Sequence, residues 1–196
     1  MKKILSLALM IGLFASVSTA QEIKYGLKGG INFANIDFSG GGMSASASSV
    51  TNFSVHGIVD YAISPGFSIQ PGLGISGKGT KFEIGGDDLT LNTLYLEVPV
   101  NALAKFNVAN AGKFYAGAGP YLGIKLSSKA KMDGETEDLE GWKDTDFGVN
   151  LAAGFEFSKG ILIGANYGLG LTNIAEDSGD ASAKNRVLSF SVGFLF

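Results

Sequence analysis

The sequence contains no cysteine, only four prolines, and a single histidine and a single tryptophan among its 196 residues. Without cysteine the chain forms no disulfide bonds, so burial and backbone pairing must hold the fold. Lysine and arginine number 15 against 18 acidic residues, and they form no long run. Because a nucleic-acid partner requires a basic surface, this class of partner is not expected.

Long apolar runs are also missing from residue 21 onward. No window there offers the ~20 consecutive apolar residues that a transmembrane helix needs. If the chain enters a membrane, strands must therefore cross it. The length suits one domain, and no stretch has the composition of a linker between two domains.

The first twenty residues have the pattern of a secretory signal peptide. Residues 1–3 are a short basic start, residues 4–17 are an apolar run, and residues 18–20 are small residues at the cleavage site. We expect cleavage before Gln21 and a mature domain over residues 21–196. The apolar run is too short for a spanning helix. No cysteine follows it, which excludes a lipid-anchored lipoprotein.

From residue 23 onward, apolar residues alternate with small or polar residues. In the first segment one parity holds Tyr25, Leu27, Gly29, Ile31 and Phe33. Successive side chains of a strand point to opposite faces, so this pattern predicts a strand with one apolar face. Seven further segments alternate in the same way, over residues 53–63, 67–78, 94–102, 114–126, 147–157, 161–172 and 188–196. Strands of about ten residues are long enough to cross a bilayer at a tilt.

The connections between these segments alternate in length. Short turns are predicted at residues 64–66, 107–112 and 158–160. Longer polar connections are predicted at residues 37–50, 82–90, 127–145 and 174–185. Outer-membrane barrels have this asymmetry, with short periplasmic turns and longer outer loops. Aromatic residues lie near the predicted strand ends, as expected of two interfacial belts.

These patterns predict an all-β fold, a closed eight-stranded antiparallel up-and-down transmembrane β-barrel. Closure is required because hydrocarbon offers no partner to the backbone groups of a sheet edge. Eight strands enclose an interior just wide enough to be filled by side chains. We therefore expect the small and polar parity inside and the apolar parity against lipid. The expected location is the bacterial outer membrane, with the N-terminus in the periplasm and the long loops outside.

Several segments resemble those of a known family. They are YGLKGGINF at 25–33, YLEVPV at 95–100, YAGAGPY at 115–121, YGLGLTNI at 167–174 and VGFLF at 192–196. In these segments the sequence is similar to the small outer-membrane β-barrel proteins of Gram-negative bacteria that are often named porin-family proteins. The resemblance covers essentially the whole mature chain and implies fold and location, with no shared catalytic motif.

The resemblance also implies partners. The terminal Phe196, on an alternating strand, resembles the signal that barrel-assembly machinery recognises. We therefore expect that machinery, periplasmic chaperones and outer-membrane lipid as partners. No extracellular ligand is indicated by any motif.

Charged and polar residues of the inward parity are the candidate functional residues. They are Lys28, His56, Asp60, Lys78, Glu97, Lys125 and Glu156. They form either a gate or selectivity ring, or a network of ion pairs that neutralises charge in a narrow lumen. The network is favoured because an unpaired buried charge is very costly. Lys28 and Asp60, on adjacent strands at similar height, are one candidate pair.

Ser54, His56 and Asp60 share the inward face of the second strand and supply the residue types of a hydrolase. Residues two apart on a strand are about 7 Å apart along it, so a polar lumen role is favoured over catalysis. An outer-membrane lipid-modifying enzyme centred on His56 is one alternative. A soluble periplasmic lipocalin-like binder of small molecules is another, and it would bury the apolar parity instead.

Two other features bear on cofactors and metals. The run GLGISG at 72–77 matches the dinucleotide fingerprint in its letters, but it lies inside a predicted strand without a following helix, so no cofactor is expected. The acidic connection 127–145 offers carboxylates to Ca²⁺ but lacks the EF-hand pattern, so we expect a solvated loop and no metal. Trp142 in that connection is expected to be exposed. The sequence thus predicts a non-enzymatic outer-membrane protein with a structural or adhesive role, or a narrow pore for small solutes.

Overall fold

Nine strands account for most of the chain that the computed structural model describes, which is residues 22–39, 48–84, 87–132, 135–139, 141–176 and 181–196. The predicted signal peptide lies outside these residues. The strands are β1 (Ile23–Ser39), β2 (Val50–Ser64), β3 (Phe67–Ile84), β4 (Asp87–Val108), β5 (Gly112–Met132), β6 (Glu135–Asp138), β7 (Thr145–Phe157), β8 (Ile161–Gly170) and β9 (Ser182–Leu195). No helix among the described residues is long and apolar enough to cross a membrane.

Eight of these strands form a closed ring. The order of neighbours is β1-β2-β3-β4-β5-β7-β8-β9, and β9 pairs in turn with β1. Every neighbouring pair is antiparallel. The short strand β6 lies outside the ring and pairs with the end of β5. The prediction of a closed eight-stranded antiparallel up-and-down barrel is confirmed.

The two faces of the ring differ in the expected sense. Along β1 exposed and buried side chains alternate, with Leu27 58% exposed and Asn32 fully buried. The same holds for β9, the neighbour of β1 that closes the ring, where Val192 is 61% exposed. Apolar side chains therefore cover the outside, and polar side chains fill the inside. A lipocalin-like protein requires the reverse arrangement, so the structure gives that alternative no support.

The two ends of the ring differ in their connections. Tight turns join β2 to β3, β4 to β5, and β7 to β8 at one end, here called the short-turn end. The opposite end carries the remaining connections and is called the long-loop end. Both termini of the described chain lie at the short-turn end, where the backbone N–H of Phe196 donates to the carbonyl of Tyr25 at 2.8 Å.

The predicted boundaries of the long loops were wrong. Strands β1, β3, β4, β5 and β9 continue into them, so residues 37–39, 82–84, 87–90, 127–132 and 182–185 of the predicted loops are strand. Antiparallel backbone pairing does not require an apolar face once a strand has left the hydrocarbon. In these extensions apolar side chains such as Phe38 and Phe82 lie on the inner face, the reverse of the pattern in the lipid-facing part, so the alternation used for prediction did not detect them.

A β-bulge in β5 was also not predicted. Leu94 of β4 lies opposite Ser127, whereas the next residue, Tyr95, lies opposite Lys125. Leu126 is thus the extra residue, and a bulge of this kind reverses the parity of the strand beyond it. As a result Lys125 and Ser128 both turn inward, although they are three residues apart.

The two aromatic belts are present. At the short-turn end the exposed rings are those of Tyr25, Phe67, Phe106, Phe114, Phe157 and Phe194. Near the long-loop end they are those of Phe33, Phe53 and Phe147. Tyr61 is half-buried. Between the belts the outer face carries exposed apolar side chains such as Leu73, Leu151 and Val192, as a lipid-facing barrel must.

Close approach of strands at inward glycines generates a stability prediction. A Cβ atom added to Gly117 of β5 would lie 1.9 Å from the carbonyl oxygen of Ala102 on β4. A Cβ atom added to the outward Gly29 would have its nearest neighbour at 3.9 Å. Gly117→Ala is therefore expected to lower the free energy of unfolding by about 1–3 kcal/mol, and Gly29→Ala to leave it nearly unchanged.

Heat modifiability on gels, followed with temperature, measures this difference. Equal midpoints for the two variants would show that the backbones at Gly117 do not approach as described.

Candidate functional site

The lumen carries a cluster of four charges near the short-turn end, here called the lower cluster. Lys105 Nζ lies 2.8 Å from Asp60 Oδ1 and 2.8 Å from Glu156 Oε2. Lys24 Nζ lies 3.1 Å from Glu156 Oε1. The second oxygen of Asp60 accepts hydrogen bonds from Ser68 and Gln70. Two cations and two carboxylates balance, which is the condition for burying charge without a large desolvation penalty.

A second cluster, the upper cluster, lies nearer the long-loop end. Lys78 Nζ is 2.7 Å from Glu97 Oε2 and 3.1 Å from Asp146 Oδ2. The same ammonium group lies 3.9 Å from the centre of the Tyr121 ring, a cation–π contact. Tyr121 and Asn185 both donate to Asp146 Oδ2, at 3.1 and 2.9 Å. One lysine thus ties β3, β4 and β7 together across the lumen.

Apolar side chains pack between the lower cluster and the middle of the lumen. They are Ile58, Leu103, Tyr115, Leu162 and Leu195. Ile58 lies between His56 and Asp60 along β2, whereas Tyr115 and Leu162 lie opposite Lys105 and Glu156 in the strand register. The apolar group therefore begins at the lower cluster and extends toward the middle of the lumen. Water is poorly accommodated by such a layer, so it restricts the lumen below its middle.

A larger apolar cluster closes the long-loop end. Its buried members are Ile36, Leu91, Trp142, Ile174 and Ala183. Two backbone hydrogen bonds hold the third connection to the fourth, from Lys143 N to Ile174 O at 2.8 Å and from Glu176 N to Gly141 O at 2.9 Å. The expectation that Trp142 is exposed was therefore wrong. The two connections meet over the lumen and bury the indole, which is 8% exposed.

A polar chamber lies between the apolar layer and the upper cluster. Its volume is about 40 Å³, and Lys28, His56 and Glu97 contribute to its wall together with serine and asparagine side chains. His56 Nε2 lies 3.6 Å from Glu97 Oε1. The chamber is a hydrophilic space bounded by apolar residues on one side and ion pairs on the other.

The sequence matches a family over most of its length. Residues 14–176 match the family described as outer membrane protein beta-barrel domain. The chain belongs to this family. It is accordingly a β-barrel protein of the bacterial outer membrane. Among curated proteins, none shows significant sequence similarity to the chain.

Three solved structures have a similar fold to this outer-membrane barrel. Neisserial surface protein A is 16% identical, with a TM-score of 0.50 over 88% of this chain and 97% of that one. OprG from Pseudomonas aeruginosa is 12% identical, with a TM-score of 0.53 over 88% and 95%. A major outer membrane protein from Thermus thermophilus is 12% identical, with a TM-score of 0.50 over 89% and 100%. At these identities the likeness shows the fold alone.

The structure places all seven predicted lumen residues on the inner side of the barrel. Asp60 and Glu156 belong to the lower cluster, and Lys78 and Glu97 to the upper cluster. Lys28 and His56 line the chamber. The seventh, Lys125, lies nearer the long-loop end. Its Nζ donates to the carbonyl of Trp142 and lies 3.0 Å from Asp144 Oδ1.

The predicted pair of Lys28 with Asp60 does not form. Lys28 lies opposite His56 in the β1–β2 register, and Lys24 lies opposite Asp60. Asp60 instead receives Lys105 from β4, which is not a neighbour of β2 in the ring. Strand parity had put both partners inside the barrel, but their heights differ by four residues along β1.

The structure does not bring Ser54, His56 and Asp60 into a catalytic relay. Ser54 Oγ donates to Asn32 Oδ1 at 3.2 Å, and Asp60 is occupied by Lys105, Ser68 and Gln70. His56 faces Glu97 instead. A relay requires the hydroxyl, imidazole and carboxylate to lie in mutual hydrogen-bond reach, and this arrangement lacks that geometry.

Three members of the charge clusters were missed as site residues. Lys24, Lys105 and Asp146 all follow the inward parity of their strands. Lys24 lies within the first alternating segment, whereas Asp146 and Lys105 lie one and three residues outside the predicted segments 147–157 and 94–102. Among the described residues, no group of three or more His, Cys, Asp or Glu side chains gathers as metal ligands.

The upper cluster generates the second prediction. Lys78→Met removes the only ammonium in contact with Glu97 and Asp146 in the described lumen, leaving two buried carboxylates without a cation. We expect the free energy of unfolding to fall by about 3–5 kcal/mol. Urea unfolding in lipid vesicles, followed by the fluorescence of the single buried Trp142, measures the change.

Lys129→Met provides a matched control, because Lys129 is an exposed residue of β5. The double variant Lys78→Met/Asp146→Asn should recover part of the loss, because it removes one charge of each sign and so restores the charge balance of the lumen. A Lys78→Met barrel as stable as the control would contradict the account of the upper cluster.

Proposed function

We propose that this outer-membrane barrel has a structural or adhesive role, is not an enzyme, and does not conduct ions through its lumen. The observation that carries the proposal is the contact of Lys78 with Glu97, Asp146 and Tyr121 across the lumen. An eight-stranded ring is narrow, and these side chains occupy its cross-section.

Two further features support a closed lumen. The apolar layer around Leu103 lies below the chamber, and the cluster around Trp142 lies above the upper cluster. An ion crossing the barrel would have to leave water at both apolar levels, which is very costly for a charge. The narrow-pore alternative requires at least one of these levels to open.

The role we propose places the long-loop end outside the cell and both termini in the periplasm. The long-loop end supports a recognition role because its strands extend beyond the aromatic belt and expose polar side chains. The short strand β6 adds three exposed acidic residues, Glu135, Glu137 and Asp138. Loops held by a rigid scaffold are common sites of recognition.

The remaining partners follow from the route of such a protein to the membrane. We propose that the signal peptide directs export, that periplasmic chaperones hold the unfolded chain, and that barrel-assembly machinery recognises the end of β9. Phe196 is 68% exposed beside Phe194, with ring centres 5.8 Å apart, which supports a recognition role for this end.

Ion conductance tests the proposed role. The wild-type barrel in a planar lipid bilayer is expected to give no stepwise current at moderate voltage, because its lumen is closed at several heights. A porin of known conductance in the same bilayer serves as the positive control. Reproducible current steps from the wild-type protein would contradict a purely structural or adhesive role and favour the narrow pore.

A further inference from the structure

A polar space of about 290 Å³, here called the cup, lies at the mouth of the lumen at the short-turn end. Its wall includes the adjacent turns that follow β4 and β7, which a backbone hydrogen bond from Ser158 N to Ala111 O joins at 3.1 Å. The wall side chains that carry charge or hydrogen-bonding groups are those of Lys24, Asn107, Asn110, Lys113, Glu156 and Ser158. One buried water needs roughly 10–15 Å³ of such space, so the cup has room for a small organic molecule.

Lys113 is a cation of the cup that has no ion pair. The strand register places it opposite Glu156, but Lys24 already contacts Oε1 of that carboxylate at 3.1 Å and Lys105 contacts Oε2 at 2.8 Å. Glu22 pairs with Lys24 at 3.3 Å from outside the cup wall, where its side chain is 62% exposed. In the described part of the chain, no carboxylate lies within ion-pair distance of Lys113. The charges that line the cup therefore sum to one positive charge in excess.

Three neutral side chains add hydrogen-bonding groups to the same space. Asn107 and Asn110 belong to the end of β4 and its turn, and Ser158 begins the turn after β7. None of the three side chains forms a hydrogen bond with another described residue. Two amides and a hydroxyl beside an ammonium group are donors of the kind that bind the oxygen atoms of an anion.

We propose that the cup binds the phosphate group of a small organic molecule, with Lys113 as its main cation and the amides of Asn107 and Asn110 as further donors. A phosphate group presents several strong acceptor oxygens and a negative charge, which match the number of donors and the sign of the excess charge. Lysine binds phosphate as a point charge, without the planar fork of arginine. A carboxylate presents only two oxygens, fewer than the donor groups of the cup.

A phosphate group at this end of the barrel can come from two sources. The exposed rings of Phe106, Phe114 and Phe157 mark the membrane interface here, and Phe157 also belongs to the cup wall. The headgroup of a phospholipid therefore lies close to the cup, whereas a soluble phosphate ester reaches it from the aqueous side. Both sources present the same chemistry to Lys113.

Titration with glycerol 3-phosphate tests the site in a phosphate-free nonionic detergent. The backbone amide resonances of Asn110 and Lys113 in the wild-type barrel are expected to shift and to saturate. Lys113→Gln is expected to weaken the binding by about tenfold, because it removes the charge that faces the anion. Asn110→Asp should weaken it as well, because it places a negative charge in an exposed position of the wall. Heat modifiability on gels shows whether each variant has folded.

Lys159→Gln is the matched control. Lys159 is exposed in the turn after β7, and its side chain is not part of the cup wall. Its removal should leave the affinity unchanged, and glycerol alone should cause no shift. The proposal is overturned by the absence of saturation in the wild type, by an equal loss in the Lys113→Gln and Lys159→Gln barrels, or by equally tight binding of glycerate, which carries a carboxylate.

The same titration in phospholipid nanodiscs identifies the source of the phosphate. If a soluble ester is the ligand, Asn110 and Lys113 respond to glycerol 3-phosphate as they do in detergent. If a headgroup is the ligand, the two resonances are already shifted in nanodiscs and no longer respond, and Lys113→Gln removes that shift. A lack of response in both media, with no difference between the wild type and Lys113→Gln, contradicts the proposal. None of these measurements depends on whether the lumen conducts ions.

Discussion

Hydrocarbon offers no hydrogen-bond partner to a peptide group, so each N–H and C=O inside a bilayer must pair within the protein. In this chain the seam between β1 and β9 meets that requirement, because it pairs the first strand with the last over most of their length. An open sheet of the same strands would leave two edges without partners. The other features of the molecule follow from closure, since a small closed ring has a lumen that must be filled.

Filling the lumen reverses the usual distribution of side chains. Most apolar side chains of the strands face lipid, and the polar side chains inside the lumen must form their hydrogen bonds and ion pairs with one another. Charges in such a space must balance, because removing one partner of a buried pair costs several kcal/mol. The lower cluster balances by direct contact. In the upper cluster, Lys78 contacts both Glu97 and Asp146. The arrangement stabilises a closed barrel and is poorly suited to the passage of ions.

Strand number, strand direction and the inward residues could be predicted from the sequence, because lipid and lumen impose opposite demands on alternate positions. Phe190 and Ser191 illustrate this, as neighbours that differ in the face they present. The strand extensions could not be predicted, because beyond the hydrocarbon the inner face becomes apolar, as Phe38 and Phe82 show, and the outer face becomes polar. The bulge at Leu126 was not predicted for a related reason, because it lies where β5 passes into its extension.

Side-chain contacts across the lumen could not be predicted from strand parity. Alternation shows that a side chain points inward, but register and curvature decide which partner it meets. Lys105 reaches Asp60 and Glu156 from a strand adjacent to neither β2 nor β7. The burial of Trp142 depends on two connections, far apart in sequence, that meet over the lumen. No local sequence pattern in either connection predicts that contact.

The direction in which each parity faces can be measured directly, because the chain has no cysteine and accepts single spin labels without background. Cysteines introduced one at a time over residues 188–194 of β9, labelled with nitroxide and studied in lipid vesicles, report collision with oxygen, which concentrates in hydrocarbon. The account predicts high oxygen accessibility at Leu188, Phe190, Val192 and Phe194 and low accessibility at the residues between them. Accessibility with the opposite parity, or with no period of two, would contradict it.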